Sequence, residues 1–435
     1  MKTAKNLIAN ITLFILEIFS LFLFLIFVPV YYSIRLLCRK STDGFFEKSG
    51  FFKNQENLIK NPDDKLIMFH GVSVGEVIAL ENLIKLAKET FKNHKILITT
   101  GTKTGQDIAK KKYAGIADFI TFFPFDIPLC TKLFFKKIKP DVILMAETEL
   151  WPFFALYARK NNIPLLLING RISDDSFKTY RYFGWFFKYI FNCYTGIYTQ
   201  SKEDMEKMVK IGAPQKKTEV MKNLKFDIQK NTTPIDFNKG FDEGKGRILI
   251  AGSTHKGEDE IVLKTFKNLK SACSDLKLII APRHLTRVDS VSALIKETGF
   301  KFGLRSKKEN FKENDILLLD TLGELSRMYS VADIAFIGGS FNNTGGHNPL
   351  EAIIYSKPVV SGPSIKNFKD IYGILTRTDA AKVVKTREEM EEHIRKLLFD
   401  DIFYAKASAD STKIFESQKG AKDFVINKMQ EILKA

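Results

Sequence analysis

Apolar residues fall into two patterns along the chain. From about Leu7 to Leu37, Leu, Ile and Phe dominate, and the densest stretch runs from Ile18 to Ile34. Glu17 is the one acid inside. An ionised acid at a bilayer centre costs about 2.5–3.5 kcal/mol, while each Leu, Ile, Phe or Val returns about 0.3–0.6 kcal/mol. A dozen such residues outweigh it, and Pro29 is tolerable as a kink. The run predicts one membrane helix within residues 1–40. Tyr31, Tyr32, Ile34 and Leu36 stand where a signal peptide would need small residues, so an uncleaved anchor is expected, with an amphipathic interfacial helix or a cleaved peptide as the alternatives. Arg35, Arg39 and Lys40 follow the run, against Lys2 and Lys5 before it. That bias puts the body of the protein on the cytoplasmic side.

Beyond residue 45 the pattern changes to short apolar runs alternating with amphipathic stretches. Strands are expected at Leu66–His70, Ile96–Thr99, Val142–Ala146, Leu165–Ile168 and Ile197–Thr199. Helices are expected at Val77–Thr90, Thr104–Lys112, Trp151–Lys160 and Phe177–Phe191. Continuous apolar runs separated by helices mark parallel strands buried on both faces. Residues 229–246 are polar, carry Thr232-Thr233-Pro234 and read as a linker. The pattern then restarts, with strands at Arg247–Ala251, Leu278–Ala281, Ile316–Leu319, Ile334–Ile337 and Val359–Ser361. Residues 387–435 read as a charged amphipathic helical segment. The prediction is two doubly wound α/β domains, 45–228 and 247–386, with ligands in a cleft at the carboxyl ends of the strands.

Charge adds a partner class. The chain has 435 residues with 67 Lys and Arg against 50 Asp and Glu, a net +17, so an anionic partner is expected. The basic residues are dispersed and no RNA-binding or zinc-finger signature occurs, which argues against nucleic acid. Cys38, Cys130, Cys193 and Cys273 are far apart without a CxxC, which fits a reducing compartment.

Candidate chemistry clusters at the expected strand ends. His70-Gly71-Val72-Ser73-Val74-Gly75-Glu76 follows the first strand; Gly71 and Gly75 suit a tight turn and Ser73 an N-cap. Glu76 reads either as a first-turn acid favoured by the helix dipole or as a general base. Glu147 and Glu149 follow the Val142–Ala146 strand, and one of them suits a helix cap. Arg171 follows another strand, and its planar fork suits carboxylate or phosphate. In the second half, Gly252-Ser253-Thr254-His255 is a turn suited to backbone donation to phosphate. Pro282-Arg283-His284 adds a side-chain fork. Gly338-Gly339-Ser340 and Gly345-Gly346 suit close backbone approach to a ligand, Pro349 a first helical turn, and Glu351 a ribose diol. The sequence holds no GxxxxGK[ST], GxGxxG, Asp-x-Asp or HExxH, and its six histidines are dispersed. A metal-free reaction on a nucleotide-activated substrate is the reading.

HGVSVGE at 70–76, ETELWP at 147–152, NLKFD at 223–227, GSTHKGE at 252–258, APRH at 281–284, LGEL at 322–325 and GGHNPLEA at 345–352 occur in that order. Together they resemble the bacterial 3-deoxy-D-manno-octulosonic acid (Kdo) transferases. The resemblance implies a GT-B fold, two Rossmann-like domains facing a cleft behind one N-terminal membrane helix. It implies inverting transfer of Kdo from CMP-Kdo to a glucosamine hydroxyl of the lipid A precursor, at the cytoplasmic leaflet of the inner membrane. No cofactor, metal or obligate protein partner is implied. Glu76 matches the proton acceptor; Glu147 and Lys225 match transition-state stabilisers. Pro282, Arg283, Leu322, Gly323, Glu324, Asn348, Pro349, Leu350 and Glu351 match CMP contacts. Ser73, Gly75, Arg171, Ser253, Thr254 and His255 are further candidate substrate contacts from their strand-end positions. The alternatives are another GT-B sugar-nucleotide enzyme, such as an epimerase or a lipid glycosyltransferase, and a non-catalytic anchored nucleotide-sugar binder.

Overall fold

The computed structural model describes residues 44–52, 65–237, 239–240 and 246–434, together with Ile11, Ile15, Ile18 and Phe22. Those four positions are helical and exposed. The rest of the expected membrane segment lies outside the described residues, as do residues 238 and 241–245 of the expected linker. No helix among the described residues is long and apolar enough to cross a membrane. The chain divides into two units, residues 1–228 with 418–435, and residues 229–417.

The first unit is built on seven parallel strands: β1 Lys65–Gly71, β2 His94–Thr100, β3 Phe119–Phe122, β4 Val142–Ala146, β5 Leu165–Gly170, β6 Gly196–Thr199 and β7 Thr218–Val220. Their order is β3-β2-β1-β4-β5-β6-β7. Side chains alternate across a strand, and both faces are apolar here. Leu66 and Met68 enter one core with Ile143, Met145 and Phe154, while Ile67 and Phe69 enter the other with Leu144, Leu83 and Val425. That is why β1 and β4 read as unbroken apolar runs.

The second unit repeats the plan with β8 Ile248–Thr254, β9 Lys277–Pro282, β10 Phe302–Leu304, β11 Ile316–Leu318, β12 Ile334–Ile337, β13 Val359–Ser361 and β14 Ala381–Val383. Their order is β10-β11-β9-β8-β12-β13-β14. In each sheet the order reverses once, between β1 and β4 and between β8 and β12. Loops leaving the carboxyl ends on either side of such a reversal diverge and leave room for a ligand.

The C-terminal stretch is not the single segment expected. Helices Arg387–Phe399 and Asp401–Gln418 belong almost wholly to the second unit, and Ala421–Lys434 returns to the first. The return is held by apolar and polar contacts. Ala421, Val425, Ile426 and Met429 pack on the helix Glu81–Thr90. The buried Asp227 carboxylate accepts from Gly420 N–H and Lys422 N–H, capping that final helix.

Candidate active site

In the first unit the reversal point gathers three carboxylates. Ser73 caps the helix Val74–Ala79 and Glu76 sits at its third position. The Ser73 hydroxyl donates to Glu76 Oε1 at 2.7 Å, and Val72 N–H donates to Oε2 at 2.7 Å. This is a capping box, yet Glu76 is only 8% exposed. Burial raises its pKa, Ser73 opposes, and the Glu147 charge adds to the rise. Gly71 has a packing reason, since a Cβ there would lie 3.3 Å from Glu76 Cβ. Gly75 is no turn residue. It lies inside the helix with ample space around it, which leaves the surface beside Glu76 bare.

Across the reversal, Glu147 follows β4 at φ 58°, a left-handed conformation that a side chain with a Cβ adopts at a cost. Arg171 Nε donates to Glu147 Oε2 at 3.1 Å, and the Thr148 hydroxyl donates to Arg171 O. Burial pushes the Glu149 carboxyl up to about 7, helped by the charges of Glu76 and Glu147. The expected cap of the helix Pro152–Lys160 by Glu147 or Glu149 is corrected: Phe153 N–H and Phe154 N–H donate to Asp126, and Glu149 instead joins the carboxylate group. Lys225 is half-buried on the turn Leu224–Phe226. That turn is fixed to β5: Leu224 N–H donates to Asn169 Oδ1, and Asn223 Nδ2 donates to Gln200 Oε1. Gln200 Nε2 in turn donates to Asn169 O.

In the second unit the reversal point gathers histidines and arginines beside buried carboxylates. Ser253 is left-handed, at φ 57°. Gly338 packs so closely on it that a Cβ would meet Ser253 O at 2.4 Å, which explains the glycine. The N–H groups of Gly338–Ser340 are all engaged within the protein, Gly338 N–H by Gly252 O. Buried Glu258 accepts from Gly339 N–H, Ser340 N–H, Phe341 N–H and His255 N–H at 2.6–2.9 Å. A resident carboxylate thus fills the concavity that consecutive amides make for an anion. Gly346 N–H is likewise engaged, by Gly339 O at 2.7 Å. Thr254 is also used internally, because its hydroxyl donates to buried Asp259 at 2.6 Å. Asp259 pairs with Arg287, and Arg287 also donates to Thr254 O.

Three of the six histidines converge here. His255 Nε2 and His347 Nε2 are 2.9 Å apart, with the ring planes within 10° of parallel and the centroids 5.2 Å apart, and His284 meets His255 edge-on at 5.9 Å between centroids. Burial, then the Arg283, His255 and His284 charges, lower His347 to about 4. Burial raises Glu351, and the Arg283 charge opposes it, so Arg283 lies near both His347 and Glu351. Asn348 Oδ1 accepts from Leu350 N–H, and Pro349 stands at the cap of the short helix Leu350–Ile353 rather than inside it. Glu324 is paired with Arg305 at 2.9 Å and with the Thr321 hydroxyl. Although burial raises its pKa, Thr321, Arg305 and Arg327 hold that carboxyl below its usual range. Leu322, beside Gly323 at φ 80°, projects from the loop and is 81% exposed. Cavities of about 520 and 880 Å³ lie elsewhere in this unit, along edge strand β14 beside Lys382 and His393.

The 3-deoxy-D-manno-octulosonic-acid transferase (kdotransferase) family matches residues 43–228. The 3-deoxy-D-manno-octulosonic acid transferase of Haemophilus influenzae is 33% identical over 357 residues, covering 81% of this chain and 82% of that protein. The chain belongs to the Kdo transferase family. This Kdo transferase is also 36% identical over 341 residues, 76% of its length, to a bifunctional glycosyltransferase/methyltransferase of Fusobacterium nucleatum. It spans 52% of that longer protein. A UDP-GlcNAc 2-epimerase from Neisseria meningitidis superposes with a TM-score of 0.55 at 14% identity, over 84% of this chain and 100% of the epimerase. That likeness concerns the fold, two parallel-sheet α/β domains consistent with GT-B. As a Kdo transferase the chain is a glycosyltransferase of lipopolysaccharide biosynthesis.

Proposed function

We propose that this Kdo transferase moves Kdo from CMP-Kdo to a glucosamine hydroxyl of the lipid A precursor, with inversion and without a metal. The observation that carries the reading is the grouping of Glu76 and Glu147 at the β1/β4 reversal, with burial and mutual charge raising Glu76. A sugar hydroxyl is a weak nucleophile and needs a base within hydrogen-bond reach during attack. Glu76 is held by Ser73 and Val72 in one orientation, and its raised pKa suits it to take that proton. The acceptor oxygen bonds to the anomeric carbon of Kdo as the bond from that carbon to the phosphate oxygen breaks. The electron pair leaves on CMP.

Positive charge develops on the sugar in the transition state. Glu147, locked by Arg171 and its backbone conformation, supplies compensating negative charge, and Lys225 is assigned the complementary stabilising role. In the second unit Arg283, Leu322–Glu324 and Asn348–Glu351 hold the nucleotide, with Arg283 facing the phosphate. A monophosphate leaving group carries less charge than a diphosphate, and the sequence has no Asp-x-Asp, which supports metal independence. The net charge of +17 suits an anionic acceptor at a membrane surface. An anchor at residues 7–37 would hold the enzyme at the inner membrane.

The deciding experiment incubates the purified full chain with CMP-Kdo and tetra-acylated lipid A precursor in detergent, with and without EDTA, and weighs the lipid by mass spectrometry. Added Kdo mass in both arms is expected. No mass gain refutes the assignment, and a gain abolished by EDTA and restored by Mg²⁺ refutes the metal-free mechanism.

A further inference from the structure

We propose that His255 and His347 act as one proton-accepting pair that binds the donor's phosphate, taking up a single proton as a phosphate monoester enters the second unit's reversal point. The inference rests on the CMP-binding reading above and extends it to two histidines and a proton.

The geometry limits what the pair can do. With Nε2 atoms 2.9 Å apart, one ring must present Nε2–H to the other's lone pair, so the two tautomers are fixed against each other. A first added proton can enter at Nδ1 of the donor ring, and the contact then becomes a charge-assisted hydrogen bond. A second proton would set two N–H groups against each other. The pair therefore stores one proton.

The surroundings set when the proton arrives. His255 lies after β8 and His347 in the loop after β12, the two strands that flank the reversal. Arg283, His284 and Arg287 face them from the segment after β9, and Glu258 from the helix after β8. Glu258 already accepts four backbone N–H groups, and Arg287 is committed to Asp259. Burial, then the neighbouring cationic groups, hold both imidazoles below the usual range against the opposing Glu258 charge on His255, with His347 down at about 4. An arriving phosphate reverses the local field, so the proton it attracts lands on the pair. Release of CMP would return the proton to solvent.

The test is calorimetric titration of the full chain with CMP at pH 7.5 in two buffers of different ionisation enthalpy. The difference between the apparent enthalpies counts protons taken up per CMP bound. The parent is expected to take up close to one proton more than His255→Gln or His347→Gln. Its Kd should weaken more steeply than theirs between pH 6.5 and 8.5, by about tenfold per pH unit for each extra proton. Ionisation of CMP itself is common to all three proteins and cancels in the comparison. Equal uptake in parent and both folded variants overturns the pair as the acceptor. CMP binding with no uptake in the parent overturns the inference and leaves the nucleotide reading standing, whereas no CMP binding by the parent overturns both.

Discussion

Glu76 sits in a capped first turn and is the proposed base. Capping alone would not call for burial, since first-turn acids work at the surface. Nor would it call for the Glu147 carboxylate close by, which raises the cost of charging it. Glu76→Gln separates the roles, because the amide keeps an oxygen for Val72 N–H and cannot take a proton. Transfer should fall by roughly 10²–10⁴ while CMP affinity and the unfolding midpoint change little; near-normal turnover would assign Glu76 to capping alone. Glu149 gives a prediction in pH. Its carboxyl titrates at about 7 in the folded chain against 4.5 for an unperturbed group. The folded state thus holds a proton that the unfolded state releases. The stabilisation this gives is complete below 4.5 and disappears as pH rises through 7. Glu149→Gln stays neutral throughout, so its thermal midpoint should exceed the parent's at pH 8.5 and converge with it by pH 4. Equal offsets at both pH values would show that Glu149 does not titrate this way.

Central strands were legible in the sequence because both faces are buried, and β4, β12 and β13 lie within the spans their apolar runs predict. The strands the pattern did not reveal among the sheet elements are β3, β7, β10 and β14, which are the four edges. Each is three or four residues long and partly solvated; Glu219, Gly303 and Lys382 interrupt β7, β10 and β14, and β3 is a short run broken by Thr121. Two expected helices are each two. Val77–Thr90 is interrupted at Leu80 and Phe177–Phe191 at Phe183, because the apolar face continues across a break that periodicity does not register. The histidine cluster is silent in linear spacing. Its signal was positional: His255 and His284 each follow a strand and His347 lies in a strand-end loop, and carboxyl ends of parallel strands share one edge of the sheet.

The role of Glu258 was invisible for the complementary reason, since its four partners are backbone groups of no particular sequence. Glu258→Gln should expose that role. The amide NH₂ would face at least one N–H donor inside a buried site, costing about 1–3 kcal/mol for each group left unpaired. Urea unfolding should report a clear loss of stability in this variant. A midpoint equal to the parent's would mean that the loop finds other acceptors.

At the scale of the whole molecule, every candidate site residue and every sheet strand lies beyond residue 64, which makes the leading run separable in principle. Residues 44–52 set the limit. Lys48 Nζ donates to Gly101 O at 2.8 Å, Phe125 N–H donates to Lys48 O at 2.7 Å, and the ammonium lies 4.9 Å from the Phe122 ring centroid. Phe52 meets Phe134 edge-on at 6.0 Å. This short segment packs at edge strand β3, and an uncovered edge is a template for unwanted pairing. A chain lacking residues 1–40 keeps it and should fold, unfold at nearly the parent's temperature, and transfer Kdo to detergent-dispersed acceptor. If Leu7–Leu37 is the proposed anchor, that chain should also be washed from membranes by high salt, because basic surface alone gives only screened attraction to anionic lipid. A chain lacking residues 1–52 loses the packing at β3 and should unfold at lower temperature and aggregate more readily. If the two truncations have equal thermal midpoints, the segment contributes nothing at that edge. If the shorter deletion already yields no active protein in detergent, the leading run packs against the catalytic body and is not separable from it.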